Sequence, residues 1–230
     1  MKRIPLIAIG PHFIRTATKK QAVGAYKRYI DMIHKSGGHG VIITPGPYQA
    51  NHLAKTFDGL LLQGGGDIHP RYFGQRMPKN AKLALSPNER TNFDLGIIRA
   101  FLRLNKPFLG ICLGAQTLNI CLGGDIIQDI PTQCEDALDH TRGQHLTHIH
   151  PKSKLAKIVK VAKLKTNSLH HQSIGSLGKN LMICAQAKDG IIEAIESKNH
   201  KFALGIQWHP ELHGKIKASQ RIFKAFVAAC

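Results

Sequence analysis

The sequence predicts an α/β fold: a mostly parallel central sheet with helices on both faces and an antiparallel C-terminal extension. Three observations predict it. Short apolar runs alternate with helix-like segments over the first half of the chain, as expected of a parallel sheet with helical crossovers. After residue 180 the pattern changes to runs separated by the tight-turn pairs Asp189-Gly190 and Asn199-His200. The chain has 230 residues, 43% of them apolar, which suits one large domain with a sizeable core.

Taken in order, "IPLIAIG" (4–10) reads as the first strand. The N-terminus faintly resembles a leader peptide, but Pro5 and Pro11 interrupt its short apolar stretch and no small-residue cleavage site follows. The segment 19–38 reads as a helix stopped by Gly37 and Gly38. Strands follow at 40–45 and 57–66. The next helix has a capping-box pattern, Ser86 with Glu89, and Pro87 at the first helical position. Phe93, Ile97, Phe101 and Leu104 then recur at helical spacing. "KPFLGI" (106–111) is the fourth strand, three more follow residue 180, and a helix at about 215–229 closes the chain. No repeat, low-complexity tract or linker divides residues 1–230, so a single domain is expected.

Composition narrows the function classes. Five cysteines with no paired spacing argue against a disulfide framework and for a reducing, cytoplasmic setting. No apolar stretch approaches the roughly 20 residues of a membrane helix. The net charge is +18, with lysines dense in 151–165. That is either a nucleic-acid footprint or a solvated basic surface. Aromatics are only 6% and do not interleave with the basic residues, so base stacking is not indicated and nucleic acid is not the expected partner.

"FLGICLGAQ" (108–116) raises the chemical question. Cys112 ends an apolar strand and is bracketed by Gly110 and Gly114. One reading is a nucleophile elbow, the thiol version of G-x-S-x-G, in which a tight strand-to-helix turn projects the nucleophile and requires small neighbours. The following helix would turn its positive end toward Cys112 and favour the thiolate. The Leu113 N–H would then face an oxyanion. The other reading is a buried cysteine with incidental glycines.

A thiol nucleophile needs a base and something to orient it. In "GIQWHPE" (205–211), Pro210 biases His209 to an extended backbone, which sets Glu211 on the same side as His209. Taken alone, His-Pro-Glu is a weak signal, and it gains force from the cysteine elbow. "LLQGGGDIHP" (61–70) places three glycines after a strand. These either let backbone N–H groups approach a ligand or simply end the strand. No GK[ST] follows to suggest a phosphate loop.

Together these segments resemble the class I glutamine amidotransferase family, with its Cys-His-Glu triad. The resemblance is closer to its stand-alone γ-glutamyl-γ-aminobutyrate hydrolase-like branch, in "LLQGGGDIHPRYFG", "CLGGDIIQDI", "TNSLHHQSI" and "DGIIEAI…NHKFALGIQWHPE". It spans about residues 60–211. It implies Cys112 as nucleophile, His209 as base and Glu211 as orienter. It implies oxyanion donors in the Gly64-Gly65 loop and at Leu113, and contact of Gln116 with the α-amino-acid end of a glutamyl group. Ser168, His170, His171 and Gln172 would lie at the mouth of the site, or else form a polar turn. The branch often has arginine where this chain has Leu113, a departure that bears on substrate and not on chemistry.

The resemblance implies hydrolysis of small γ-glutamyl compounds through a thioester, with no cofactor. Two other readings stay open: a glutaminase component feeding ammonia to a separate synthetase, and a non-catalytic basic binding protein. The histidines at 140, 145, 148 and 150 invite a metal reading, with His148 and His150 on one strand face. Without HExxH, paired cysteines or a nearby acid, no metal is expected. The partner expected is a small-molecule substrate, with no membrane, and the sequence leaves room for a homo-oligomer.

Overall fold

Short apolar strands, buried on both faces, organise the molecule. The computed structural model describes residues 3–230 apart from 16, 17, 19, 20, 47–49 and 80. In chain order the elements are β1 (Leu6–Ile9), β2 (His12–Arg15), β3 (Gln21–Gly24), α1 (Lys27–Lys35), β4 (His39–Ile42), α2 (Ala50–Thr56) and β5 (Gly59–Leu62). A 3-10 turn at Pro70–Phe73 precedes α3 (Asn88–Arg103), β6 (Phe108–Ile111), α4 (Leu113–Cys121), β7 (Ile126–Ile127) and α5 (Ile130–Gln133). Then come β8 (Gly143–Ile149), α6 (Lys154–Val159), β9 (Lys163–Ser168), β10 (Ser173–Ile174), β11 (Leu181–Ala187), β12 (Ile192–Ser197) and β13 (Ala203–Ile206). A 3-10 turn at Pro210–His213 leads into α7 (Lys217–Ala229).

The main sheet runs β4-β1-β5-β6-β13-β12-β11-β8-β9. Its first five strands are parallel, and from β13 outward the pairing is antiparallel. The predicted architecture is therefore the observed one. Successive strand residues face opposite sides. Ile7, Ile9, Leu61 and Ile111 pack with α1 and α7, while Ala8, Leu60, Leu62 and Phe108 pack with α3 and α4. The sheet thus carries helices on both faces, and β13 is the seam between its two halves.

Two local expectations are corrected. The helix predicted over 19–38 starts only at Lys27, and Gln21–Gly24 is instead a strand paired with His12–Arg15. Tertiary contacts override the helical spacing here: the Gln63 side-chain amide donates to the Gly10 and Gly24 carbonyls and its oxygen accepts from Tyr26 N–H. The predicted stop holds, with Gly37 at φ +87° and the Gly38 N–H returning to Ile33. The capping box at Ser86 does not form. Pro87 caps α3 with no side-chain bond, because Ser86 is drawn into the loop beside it, its N–H donating to the Asp67 carbonyl. Between residues 123 and 180, β7, α5 and β10 carry too few residues each to show a period in the sequence.

Candidate active site

The sharp turn after β6 explains the two glycines. Cys112 has φ +50° and ψ −106°, a conformation that L-residues rarely adopt and that costs about 1–3 kcal/mol. The turn brings α4 back against β5 and β6. A Cβ on Gly110 would sit 2.5 Å from the Gly114 backbone, and one on Gly114 would sit 2.5 Å from the Leu62 carbonyl oxygen. The Cys112 N–H is anchored to the Ile206 carbonyl at 2.7 Å, so the elbow is braced by β13. Gln207, the next residue along, donates its side-chain amide to Cys112 Sγ at 3.5 Å.

His209 follows the end of β13 and faces Cys112 from the neighbouring segment. Its Nδ1 bonds Glu211 Oε1 at 2.6 Å. Asn167 clamps the His209 backbone from β9, its Oδ1 accepting from His209 N–H and its Nδ2 donating to His209 O, both at 2.8 Å. Burial alone would lower the His209 pKa. The Cys112 sulfur and the Glu211 carboxylate outweigh it and raise the value to about 10. Tyr29 of α1 lies beside Glu211, and burial and that carboxylate push its phenol pKa upward.

The glycine loop after β5 completes the site. A Cβ on Gly64 would lie 2.9 Å from His209 Cε1 and 3.6 Å from Cys112 Cβ, so only glycine allows this approach. The Gly64 N–H donates to Tyr29 Oη at 3.2 Å. Among the described residues, Gly65 N–H and Leu113 N–H, the latter first in its helix, make no hydrogen bond within the protein. Cys112, His209, Glu211, Tyr29 and the three loop glycines line a cavity of about 680 Å³ together with His12, Tyr26, Lys27, Arg28, Leu169 and Leu212.

The other candidates sit elsewhere than expected. Gln116 is buried and lies outside the cavity lining, its amide donating to the Gln172 carbonyl and Gln207 Oε1, both at 3.2 Å. Ser168, His170 and Gln172 are buried as well. Ser168 Oγ bridges His140 Nδ1 and His170 Nε2, and Gln172 Nε2 donates to the Gln128 carbonyl. His171 is held between Asp67 and Asp129 at 2.9 Å each. The Asp67 bond outweighs burial and, with Asp129, raises its pKa to about 9. From this segment it is Leu169, not the four polar residues, that reaches the cavity, because the polar ones are engaged by partners behind it. The lysine-rich run 151–165 contributes nothing to the cavity wall, whose lysine and arginine are Lys27 and Arg28.

The histidines also sort differently. His148 and His150 are exposed, whereas His140 and His145 are buried. With Glu193 they form the one group among the described residues whose ligand-type atoms gather within 4.8 Å. His145 Nε2 bonds Glu193 Oε1 at 2.8 Å, and His140 lies between Asp189 and Glu193. With a carboxylate beside each ring nitrogen, His140 is placed to carry a proton on both. Burial opposes the second proton, but the two carboxylates raise the His140 pKa.

Sequence reasoning missed Asn167, Gln207, Tyr29 and Arg90. Apart from the Arg90–Asp94 bond within α3, their bonds go to backbone atoms or to residues distant in sequence.

Similar proteins carry this arrangement's fold and family. The glutaminase domain of Trypanosoma brucei CTPS, solved with bound acivicin, aligns at a TM-score of 0.68 and 16% identity, over 97% of this chain and 94% of that one. A glutamine amidotransferase-like protein of Rickettsia prowazekii is 31% identical, covering 100% of this chain and 99% of the relative. The γ-glutamyl-γ-aminobutyrate hydrolase of Escherichia coli K12 is 28% identical over 89% of this chain and 85% of its own. The Peptidase C26 family matches residues 5–211, and the chain belongs to that family.

Proposed function

We propose that this chain is a cysteine hydrolase that cleaves the γ-glutamyl amide bond of small γ-glutamyl compounds, γ-glutamyl-γ-aminobutyrate among them. The observation that carries the reading is the strained Cys112 elbow facing a histidine that is held by a carboxylate at 2.6 Å. In the reaction the Cys112 thiolate attacks the side-chain carbonyl carbon. The Gly65 and Leu113 N–H groups receive the oxyanion, a contribution of about 10²–10³ in turnover per donor. The His209 imidazolium gives its proton to the leaving nitrogen as the C–N bond breaks. A water then attacks the thioester, His209 takes its proton, and glutamate leaves with Cys112 restored. Glu211 keeps the imidazole in one orientation throughout.

Arg28 supports an anionic leaving amine. It lines the cavity, and unlike Lys27, which pairs with Asp31 at 2.6 Å, it has no ion pair among the described residues. The test is kcat/KM for γ-glutamyl-γ-aminobutyrate, an uncharged γ-glutamyl amine and glutamine, with no added protein. Preference for the first supports the reading. Preference for glutamine, or silence until a synthetase is supplied, supports the glutaminase alternative.

A further inference from the structure

Arg90, in the first turn of α3, is nearly sealed at 2% exposed and takes no part in the chemistry above. Its Nη2 donates to two consecutive carbonyls of the glycine loop, Gln63 O at 2.9 Å and Gly64 O at 3.1 Å. Its Nε is held by Asp94 one turn later at 3.3 Å. The guanidinium also lies against Gly65, where a Cβ would come within 2.2 Å of Nη1. The loop is therefore gripped between Arg90 on one side and Cys112 and His209 on the other.

We infer that Arg90 is a positioning residue that builds the oxyanion donor at Gly65. The inference rests on the acyl-transfer reading of Cys112. Across a trans peptide the C=O and the next N–H point in opposite directions. Fixing Gly64 O on Arg90 therefore fixes the direction of the Gly65 N–H. The Gly64 N–H is taken by Tyr29, and of the two loop N–H groups left without a bond in the protein, at Gly65 and Gly66, the Gly65 N–H belongs to the peptide whose carbonyl Arg90 holds. A cation on the carbonyl of that amide also polarises it, making its N–H a better donor. The planar fork reaches two carbonyls and Asp94 together, and a lysine ammonium cannot reproduce that geometry. Gly65 is glycine because the guanidinium occupies the place of a side chain.

The experiment compares two reactions of Cys112 that differ in needing an oxyanion hole. Acylation by p-nitrophenyl acetate passes through a tetrahedral oxyanion. Alkylation by iodoacetamide displaces iodide at a saturated carbon and forms none. Both are read at the Cys112 peptide by mass, with wild type, Arg90→Met and Arg90→Lys, and thermal melts verify folding. Acylation should fall by about 10²-fold in Arg90→Met and by less in Arg90→Lys, while alkylation stays within about twofold. Added guanidinium should restore part of the acylation in Arg90→Met. If Arg90→Met fails to fold, Arg90→Lys decides by the same ratio. Equal loss of both reactions, or no loss of acylation, overturns the inference. Because neither probe is a γ-glutamyl compound, failure of the proposed substrate class would show separately, as a wild type that acylates normally yet releases no glutamate.

Discussion

Two of the histidine–carboxylate pairs among the described residues invite comparison, one just past the seam strand β13 and one in the antiparallel half. His209 and Glu211 meet at 2.6 Å, and His140 and Asp189 at 2.9 Å. The first histidine is 15% exposed and opens on the cavity, while the second is 1% exposed and sealed beneath the antiparallel half. The first faces a cysteine held at positive φ. The second faces Ser168, which already bridges to His170. A histidine held by an acid is thus not a catalytic device by itself. In the proposed reaction it becomes one where a strained cysteine and an open cavity meet it, at the end of the parallel sheet.

The largest expected difference comes from removing each pair's reactive member. Cys112→Ala or His209→Ala should lower glutamate release by about 10⁴-fold or more, and Cys112→Ala should leave the melting temperature nearly unchanged. His140→Ala should do the reverse. It leaves Asp189 and Glu193 buried without their shared cation, at a cost of about 3 kcal/mol, while turnover falls less than about tenfold. Urea melts and steady-state rates on the same preparations check both. Comparable loss of activity in His140→Ala would join the two pairs into one machine.

The acids should differ in the same sense but by less. Glu211→Gln keeps the base and loses part of its orientation, so turnover should fall by roughly 10²-fold, well short of His209→Ala. Asp189→Asn should register in stability, since Asp189 also accepts from the Leu138 N–H. If Glu211→Gln were as inactive as His209→Ala, Glu211 would have to do more than orient.

How far these roles were legible depends on where each residue's partners lie. The Cys112 elbow and the His209–Glu211 pair could be read because strand-to-turn chemistry and i,i+2 geometry are local. The pairing of β2 with β3 could not, since Gln63 ties down the Gly10 and Gly24 carbonyls beside these strands from 53 and 39 residues away in the chain. The spacing of His148 and His150 shows that they share a face, but which face turns inward is set by pairing of β8 with β9 and β11. Arg90 resembles any polar residue of an amphipathic helix, because its targets are carbonyls and backbone atoms leave no mark in a sequence.

A smaller effect separates the pairs by alkaline pH. kcat/KM reports the free enzyme, and acylation needs the imidazolium form of His209. With its pKa raised to about 10, that form persists through neutral pH and is lost as pH climbs through about 10. Glu211 is one of the groups raising that value, so Glu211→Gln should move the alkaline limb to lower pH. His140→Gln should leave it in place. A limb that does not move in Glu211→Gln would mean that Cys112 alone holds the proton on His209.

The smallest effect is in stability. The folded-state pKa of His140 is raised above its ordinary 6.5 by Glu193 and Asp189 against the opposing effect of burial. A group whose pKa rises on folding contributes stability fully below its unfolded value, and that contribution fades as pH rises through the folded value. The stability advantage of wild type over His140→Gln should therefore be largest below about pH 6.5 and shrink above it. The groups around His140, namely Asp189, Glu193, His145, His170 and Ser168, are common to both proteins, as is His171, whose own raised pKa of about 9 acts in the same direction. Subtracting the two melting curves at each pH isolates His140 to the extent that these neighbours titrate alike in both. A His209→Gln series treated the same way should differ, since its histidine keeps its proton to about pH 10 and the difference would persist past pH 9. A wild-type advantage over His140→Gln that stayed constant from pH 5 to pH 9 would show that His140 holds the antiparallel half together as a neutral ring, and the proton that completes its network would have to sit elsewhere.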